Sequence, residues 1–153
     1  MSSLSRLTED QFYALLPETS KAVIALSATA KHIGLDPVLT ELVNLRCSQL
    51  NGCAWCIAYH TQHLLKSGLS AERIGLVSAW EEAGIFSERE AAALAWAEEL
   101  TLVAERHVSD AAYAAATAVF SDADLAALTV TIATINVWNR FNVAYRFPPE
   151  ITG

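Results

Sequence analysis

Charge is scarce in this chain: Asp, Glu, Lys and Arg make up 18% of its 153 residues, against 53% hydrophobic. So little charge on so apolar a sequence excludes an intrinsically disordered protein. Positive charge is scarcer still, with ten Lys and Arg against seventeen Asp and Glu, a net −7, and no basic run. The resulting field repels phosphate, which excludes nucleic acid as a main partner. Long apolar runs are also missing, although the mean hydropathy is +0.29. The longest charge-free stretch, residues 47–65, carries Ser48, Gln49, Asn51, His60, Thr61, Gln62 and His63. The next, residues 125–139, is short and threaded with threonines and Asn136. Neither would enter a bilayer cheaply. The opening MSSLSRLTEDQF has no apolar signal core, so a soluble, cytoplasmic protein is expected.

Cysteine is the third scarcity. There are three, an odd number, and Cys47, Cys53 and Cys56 fall within ten residues. A secreted disulfide framework is therefore excluded, and in a reducing compartment such a cluster points to metal or redox chemistry.

What is present reads as helix. A chain of this size buries ~68% of its unfolded surface and needs no staple to hold a core. Four prolines and six glycines sit at the ends of long segments in which apolar residues recur at three and four. Val38, Leu42, Leu45 and Gln49 share one such face. Thr8 with Gln11 and Ser87 with Glu90 have the spacing of capping boxes, and Ser121 with Asp124 that of a weaker one. Ala-rich residues 90–105 and 110–120 favour helix strongly. TVTIATI, at 129–135, alternates like a strand but lies in a longer run without turn residues. The expectation is one all-α domain over residues 1–153, of seven or eight helices and no sheet.

The distinctive chemistry sits in residues 41–63, ELVNLRCSQLNGCAWCIAYHTQH. Asn51-Gly52 should end one helix, since both tolerate left-handed backbone angles. A second should run from near Cys53 to Lys66. On it Cys53, Cys56 and His60, at intervals of three and four, are neighbours along one face. The cysteine pair falls inside the ~4.4–6.8 Å Cα window of a disulfide. The first turn of a helix stabilises a thiolate through its unpaired N–H groups and dipole. His60 can accept a proton or hold the charge. A thiolate so placed can take an oxygen atom from a peroxide, and the second cysteine can condense the sulfenic acid to a disulfide.

Other readings of these residues stay open. Zinc would want a fourth ligand, which Glu41 or His63 could supply. The cysteines could be inert and His60 a satisfied core histidine. Haem attachment is excluded because Ile57, not His, follows Cys56, and a thioredoxin module because no βαβ pattern surrounds the pair. No cofactor and no metal is expected. Cys47 and the four tryptophans read as core residues, and His63 as a plain helix residue or a support for His60. Spacing alone does not place Glu41. Asn136, Asn139 and Arg140 share a face of the last helix, as a polar network between helices or subunits or as pocket lining.

Residues 41–60 resemble the AhpD-like alkylhydroperoxidase branch of the carboxymuconolactone decarboxylase superfamily. That signature is a Glu, eleven residues, then Cys-x-x-Cys-x-x-x-His, and Glu41, Cys53, Cys56 and His60 match every spacing. ERHVSD and INVWNRFNVAYRFPP are similar to stretches of its short single-motif members, so the resemblance covers most of the chain. It implies an all-helical fold assembled as a trimer or hexamer, with Cys56 peroxidatic, Cys53 resolving, and Glu41 and His60 a proton relay. It implies a thiol-dependent peroxidase acting on alkyl hydroperoxides or hydrogen peroxide, re-reduced by a lipoyl or thioredoxin-like dithiol. One departure bears on turnover: Trp55 stands where the best-understood AhpD enzyme carries a relay histidine. Two alternatives to the peroxidase are a non-enzymatic thiol redox sensor and a decarboxylase-like enzyme using His60 as base.

Overall fold

The structure, a computed structural model, describes residues 6–151. Ten α-helical segments and one 3₁₀ turn, and no strand, are found among the described residues. They are α1 (Glu9–Leu15), α2 (Thr19–Lys31), α3 (Pro37–Leu50), α4 (Ala54–Lys66), α5 (Ala71–Gly75), α6 (Trp80–Ala83), α7 (Glu88–Thr101), α8 (Val103–Arg106), α9 (Asp110–Thr117) and α10 (Asp122–Tyr145). The expectation of seven or eight helices needs correcting upward. The surplus lies in the single turns α5, α6 and α8, too short for an apolar period to register.

Local chemistry sets the boundaries. Thr8 and Ser87 close full capping boxes with Gln11 and Glu90. Asp36 caps α3 with Pro37 in its first turn, while Ser109 and Ser121 cap α9 and α10. The Ala-rich run at 90–105 is broken at Leu102 into α7 and α8. TVTIATI lies inside α10, where Thr129, Thr131 and Thr134 return their hydroxyls to carbonyls four residues back.

Helices α3 and α10 form the centre, with α7 and α9 on one side and α4 and α2 on the other. The main core joins Leu39, Val43 and Cys47 of α3 to Trp96 of α7 and to Leu128, Ile132 and Ile135 of α10. A second cluster sets Leu42 and Leu45 of α3 against Leu64 of α4, with Ile74, Val77 and Leu94. Helix α3 thus buries both flanks, which fixes it as the axle on which α4 is hung. No single helix among the described residues is long and apolar enough to cross a membrane.

Candidate functional site

Helix α4 delivers the site. Gly52, at φ +64, makes the left-handed turn that ends α3, and the Cys53 N–H donates to the Ser48 carbonyl (3.0 Å). Side chains from α10 lock that turn. The Asn51 amide donates to the Asn136 and Asn139 side-chain oxygens (2.9 Å each), and Asn139 donates to Ser48 Oγ (3.1 Å). Asn136 also reaches Thr101 Oγ1 (3.0 Å), and Arg140 donates to the Asn136 side chain (2.9 Å). Asn136, Asn139 and Arg140 are therefore the interhelical network of the two readings, and Asn139 is wholly buried in it.

Cys53 is the N-cap of α4, its sulfur accepting the Cys56 N–H at 3.3 Å. The two cysteines are joined as a disulfide, with Cα atoms 5.3 Å apart. Each is only 1% exposed. The Cys56 sulfur also accepts a hydrogen bond from Asn142 Nδ2 of α10 at 3.2 Å. One turn beyond, buried His60 sets Nδ1 2.7 Å from Glu41 Oε2. A carboxylate can only accept there, so Nδ1 is the donor and Nε2 is the ring nitrogen left free of this bond. Glu41, unplaced by spacing, is brought to the site by the packing of α3 on α4.

Cys56 and His60 open together on a cavity of about 620 Å³ beneath α1 and α2. Its walls are largely apolar and aromatic, including Tyr13, Ile24, Trp55, Tyr59, Ile135 and Trp138. Trp55 stacks on Tyr59 with ring centroids 5.0 Å apart, and Tyr59 meets His63 at 4.4 Å. His63 thus closes an aromatic ladder beside the Cys56–His60 face. Burial, and then the Glu9 carboxylate, push the Tyr13 phenol above its ordinary value, leaving it a hydroxyl donor on the wall.

The tryptophans need a correction. Trp96 is core, Trp80 packs on the second cluster while donating to Glu98, and Trp138 packs on the main core while bordering the cavity, but Trp55 belongs to the cavity wall alone. An indole at helical spacing gives the same signal in either role. Cys47 does lie in the core, where burial, above all, pushes its thiol up to about 12. Asn142 and the roof from α1 and α2 escaped the sequence reading. The run of asparagines at 136, 139 and 142, at intervals of three, was the available signal for Asn142. Among the described residues no three His, Cys, Asp or Glu side chains are grouped to hold a metal ion.

Comparison with known proteins agrees with this architecture. Residues 17–99 match the carboxymuconolactone decarboxylase family. The chain belongs to that family. It is 33% identical over 133 residues to the uncharacterised protein YdfG of Bacillus subtilis, covering 87% of this chain and 90% of that one. The crystal structure of a protein of unknown function from Agrobacterium tumefaciens, suggested to be the antioxidant defence protein AhpD, superposes with a TM-score of 0.89. It shares 35% identity and covers 97% of this chain and 100% of its own. The fold is AhpD-like. The debrominase Bmp8 shares it at a TM-score of 0.75 and 16% identity, over 90% of this chain and 74% of its own.

Proposed function

We propose that the protein is a thiol-dependent peroxidase that reduces alkyl hydroperoxides through a Cys53–Cys56 disulfide cycle. The observation that carries this reading is the shared cavity. Cys56 and His60 face one apolar, aromatic-walled space, the His60 proton is fixed by Glu41, and Cys53 stands one turn away to close the disulfide.

In the reduced protein His60 Nε2 takes the proton of the Cys56 thiol, the imidazolium being held by Glu41. The Cys56 thiolate is further supported by the Asn142 amide and the start of α4. It attacks the outer peroxide oxygen, the O–O bond breaks, and the departing alkoxide takes the proton back from His60 as an alcohol. The Cys53 thiol then displaces water from the Cys56 sulfenic acid and the disulfide forms. Apolar walls favour an organic hydroperoxide over hydrogen peroxide.

A homo-oligomer, trimer or hexamer, belongs to the proposal. The chain exposes 9022 Å² of surface against ~7,600 Å² for a compact monomer of its mass. Leu15, Leu16 and Ile24, on and beside the helices that roof the cavity, are more than half exposed.

Steady-state consumption of cumene hydroperoxide with excess dihydrolipoamide tests the activity. Many turnovers per subunit, lost in Cys56→Ser, are expected. One stoichiometric oxidation that stalls would indicate a redox sensor instead. A family reaction insensitive to Cys56→Ser but lost with His60 would indicate decarboxylase-like chemistry.

A further inference from the structure

The two sulfurs of the disulfide open on different cavities. Cys56 borders the 620 Å³ cavity under α1 and α2. Cys53 borders a second, of about 290 Å³, between the start of α4 and the end of α10. Gly52, Ala54 and Trp55 form one side of it, and Val143, Arg146 and Phe147 the other. Trp55 and Asn142 border both cavities, so with the disulfide they make the partition. Gly52, Ala54, Val143 and Arg146 are exposed, which makes the second cavity a shallow mouth leading to Cys53.

Thiol–disulfide exchange runs through a mixed disulfide, with the attacking thiolate in line with the bond it breaks. A thiolate attacking Cys53 must therefore arrive from the side away from Cys56, and the small cavity borders Cys53 without bordering Cys56. Attack there makes Cys56 the leaving group, and its sulfur already accepts the Asn142 N–H. A leaving thiolate that accepts such a hydrogen bond leaves faster. Entry by this side leaves the peroxide cavity unobstructed.

We propose that the small cavity is the entry site of the reductant, and that it takes a small dithiol bearing a carboxylate, which pairs with Arg146. This inference rests on the redox cycle proposed above. A volume of about 290 Å³ admits a thiol-bearing chain and no folded domain. On a chain of net charge −7, Arg146 is the one charged residue among the described residues lining this cavity, and its charge favours an anionic reagent that the molecule as a whole repels. The first thiolate bonds to Cys53 Sγ, and the electron pair of the Cys53–Cys56 bond leaves on Cys56. The second thiolate of the reagent then attacks the reagent's own sulfur in the mixed disulfide and expels Cys53 as a thiolate. One dithiol is oxidised to a cyclic disulfide, one protein disulfide is reduced to two cysteines, and two protons pass from reagent to protein through solvent.

Dihydrolipoate and dihydrolipoamide carry the same two thiols and differ by one carboxylate charge. Stopped-flow reduction of the oxidised protein by each, at low and high salt, tests the inference without any peroxide. Wild type is expected to prefer dihydrolipoate by about two- to fivefold at low salt, the range an exposed ion pair supports, and Arg146→Gln to abolish the preference. Val143→Trp, which fills the mouth, is expected to slow both reagents while the reduced protein reacts with cumene hydroperoxide at its wild-type rate. After a brief pulse of mercaptopropionate, acid quench and alkylation, peptide mapping is expected to find the adduct on Cys53. Equal rates for the two reagents in wild type, or the adduct on Cys56, would overturn the proposal even if Val143→Trp does not fold. Inertness to peroxide with the thiol results intact would instead overturn the peroxidase reading alone.

Discussion

In the proposed cycle His60, Glu41 and Asn142 play separate parts, and each has a distinct consequence when changed. His60 moves the proton in that cycle, so His60→Ala should lower the peroxide rate by roughly 10²-fold at neutral pH. Glu41→Gln should cost less, because the imidazole stays in place and loses only the partner that fixes Nδ1 and holds the imidazolium. Asn142 donates one hydrogen bond to Cys56, and removing it should slow oxidation about tenfold, the worth of one hydrogen bond to a charged acceptor. Stopped-flow oxidation of each reduced variant measures all three. Cys47 is the control, since its thiol is buried and pushed up to about 12 from 9.0. It should resist alkylation at pH 8 in the folded protein, where reduced Cys53 and Cys56 react. The same shift has a stability consequence. Unfolded, Cys47 releases its proton near pH 9, whereas folded it holds it to about 12, so stability falls as pH rises through that window. Replacing Cys47 with Ala should flatten the alkaline limb of the unfolding curve, although the variant starts less stable.

At the scale of elements, the site depends on how α4 begins. The turn at Asn51 and Gly52 is held by α10, and Asn51→Ala would leave the fully buried Asn139 oxygen without its donor. That should cost about 1–3 kcal/mol, a fall of roughly 2–10 °C in Tm for a domain of this size. Differential scanning calorimetry of the oxidised protein checks it. What was legible in the sequence, and what was not, divides along the same line. Cys53, Cys56 and His60 lie within one turn or two of each other, so their spacing alone puts them on a face, and the capping residues of α1, α7 and α10 could be read locally. Glu41 lies on the preceding helix, and its approach to His60 depends on the crossing of α3 and α4, which no short-range pattern encodes. The family resemblance, not periodicity, supplied that partner. Asn142 comes from the far end of the chain and was missed for the same reason. Trp55 was misread as core because a cavity wall and a core face have one hydrophobic period, while Trp138 serves as both.

At the scale of the molecule, the described residues form an all-helical fold whose roof over the Cys56 cavity, α1 and α2, leaves Leu15, Leu16 and Ile24 exposed. If that surface is the contact between copies, light scattering should give a mass that is a multiple of 16.6 kDa. Ile24→Glu should then lower that mass, and with it the activity, because Ile24 is also a wall of the cavity. A monomeric wild type would remove the oligomer from the account. The proposed peroxidase cycle nevertheless turns on a single sulfur, Cys56, bordering that cavity. Its most direct test is to treat reduced Cys53→Ser with one equivalent of cumene hydroperoxide in the presence of dimedone and to map the product by mass spectrometry. With the resolving thiol gone, a stoichiometric dimedone adduct is expected on Cys56, and no sulfenic acid at Cys53 in the converse Cys56→Ser variant. An adduct on Cys53 in Cys56→Ser, with Cys56 unmodified in Cys53→Ser, would contradict it.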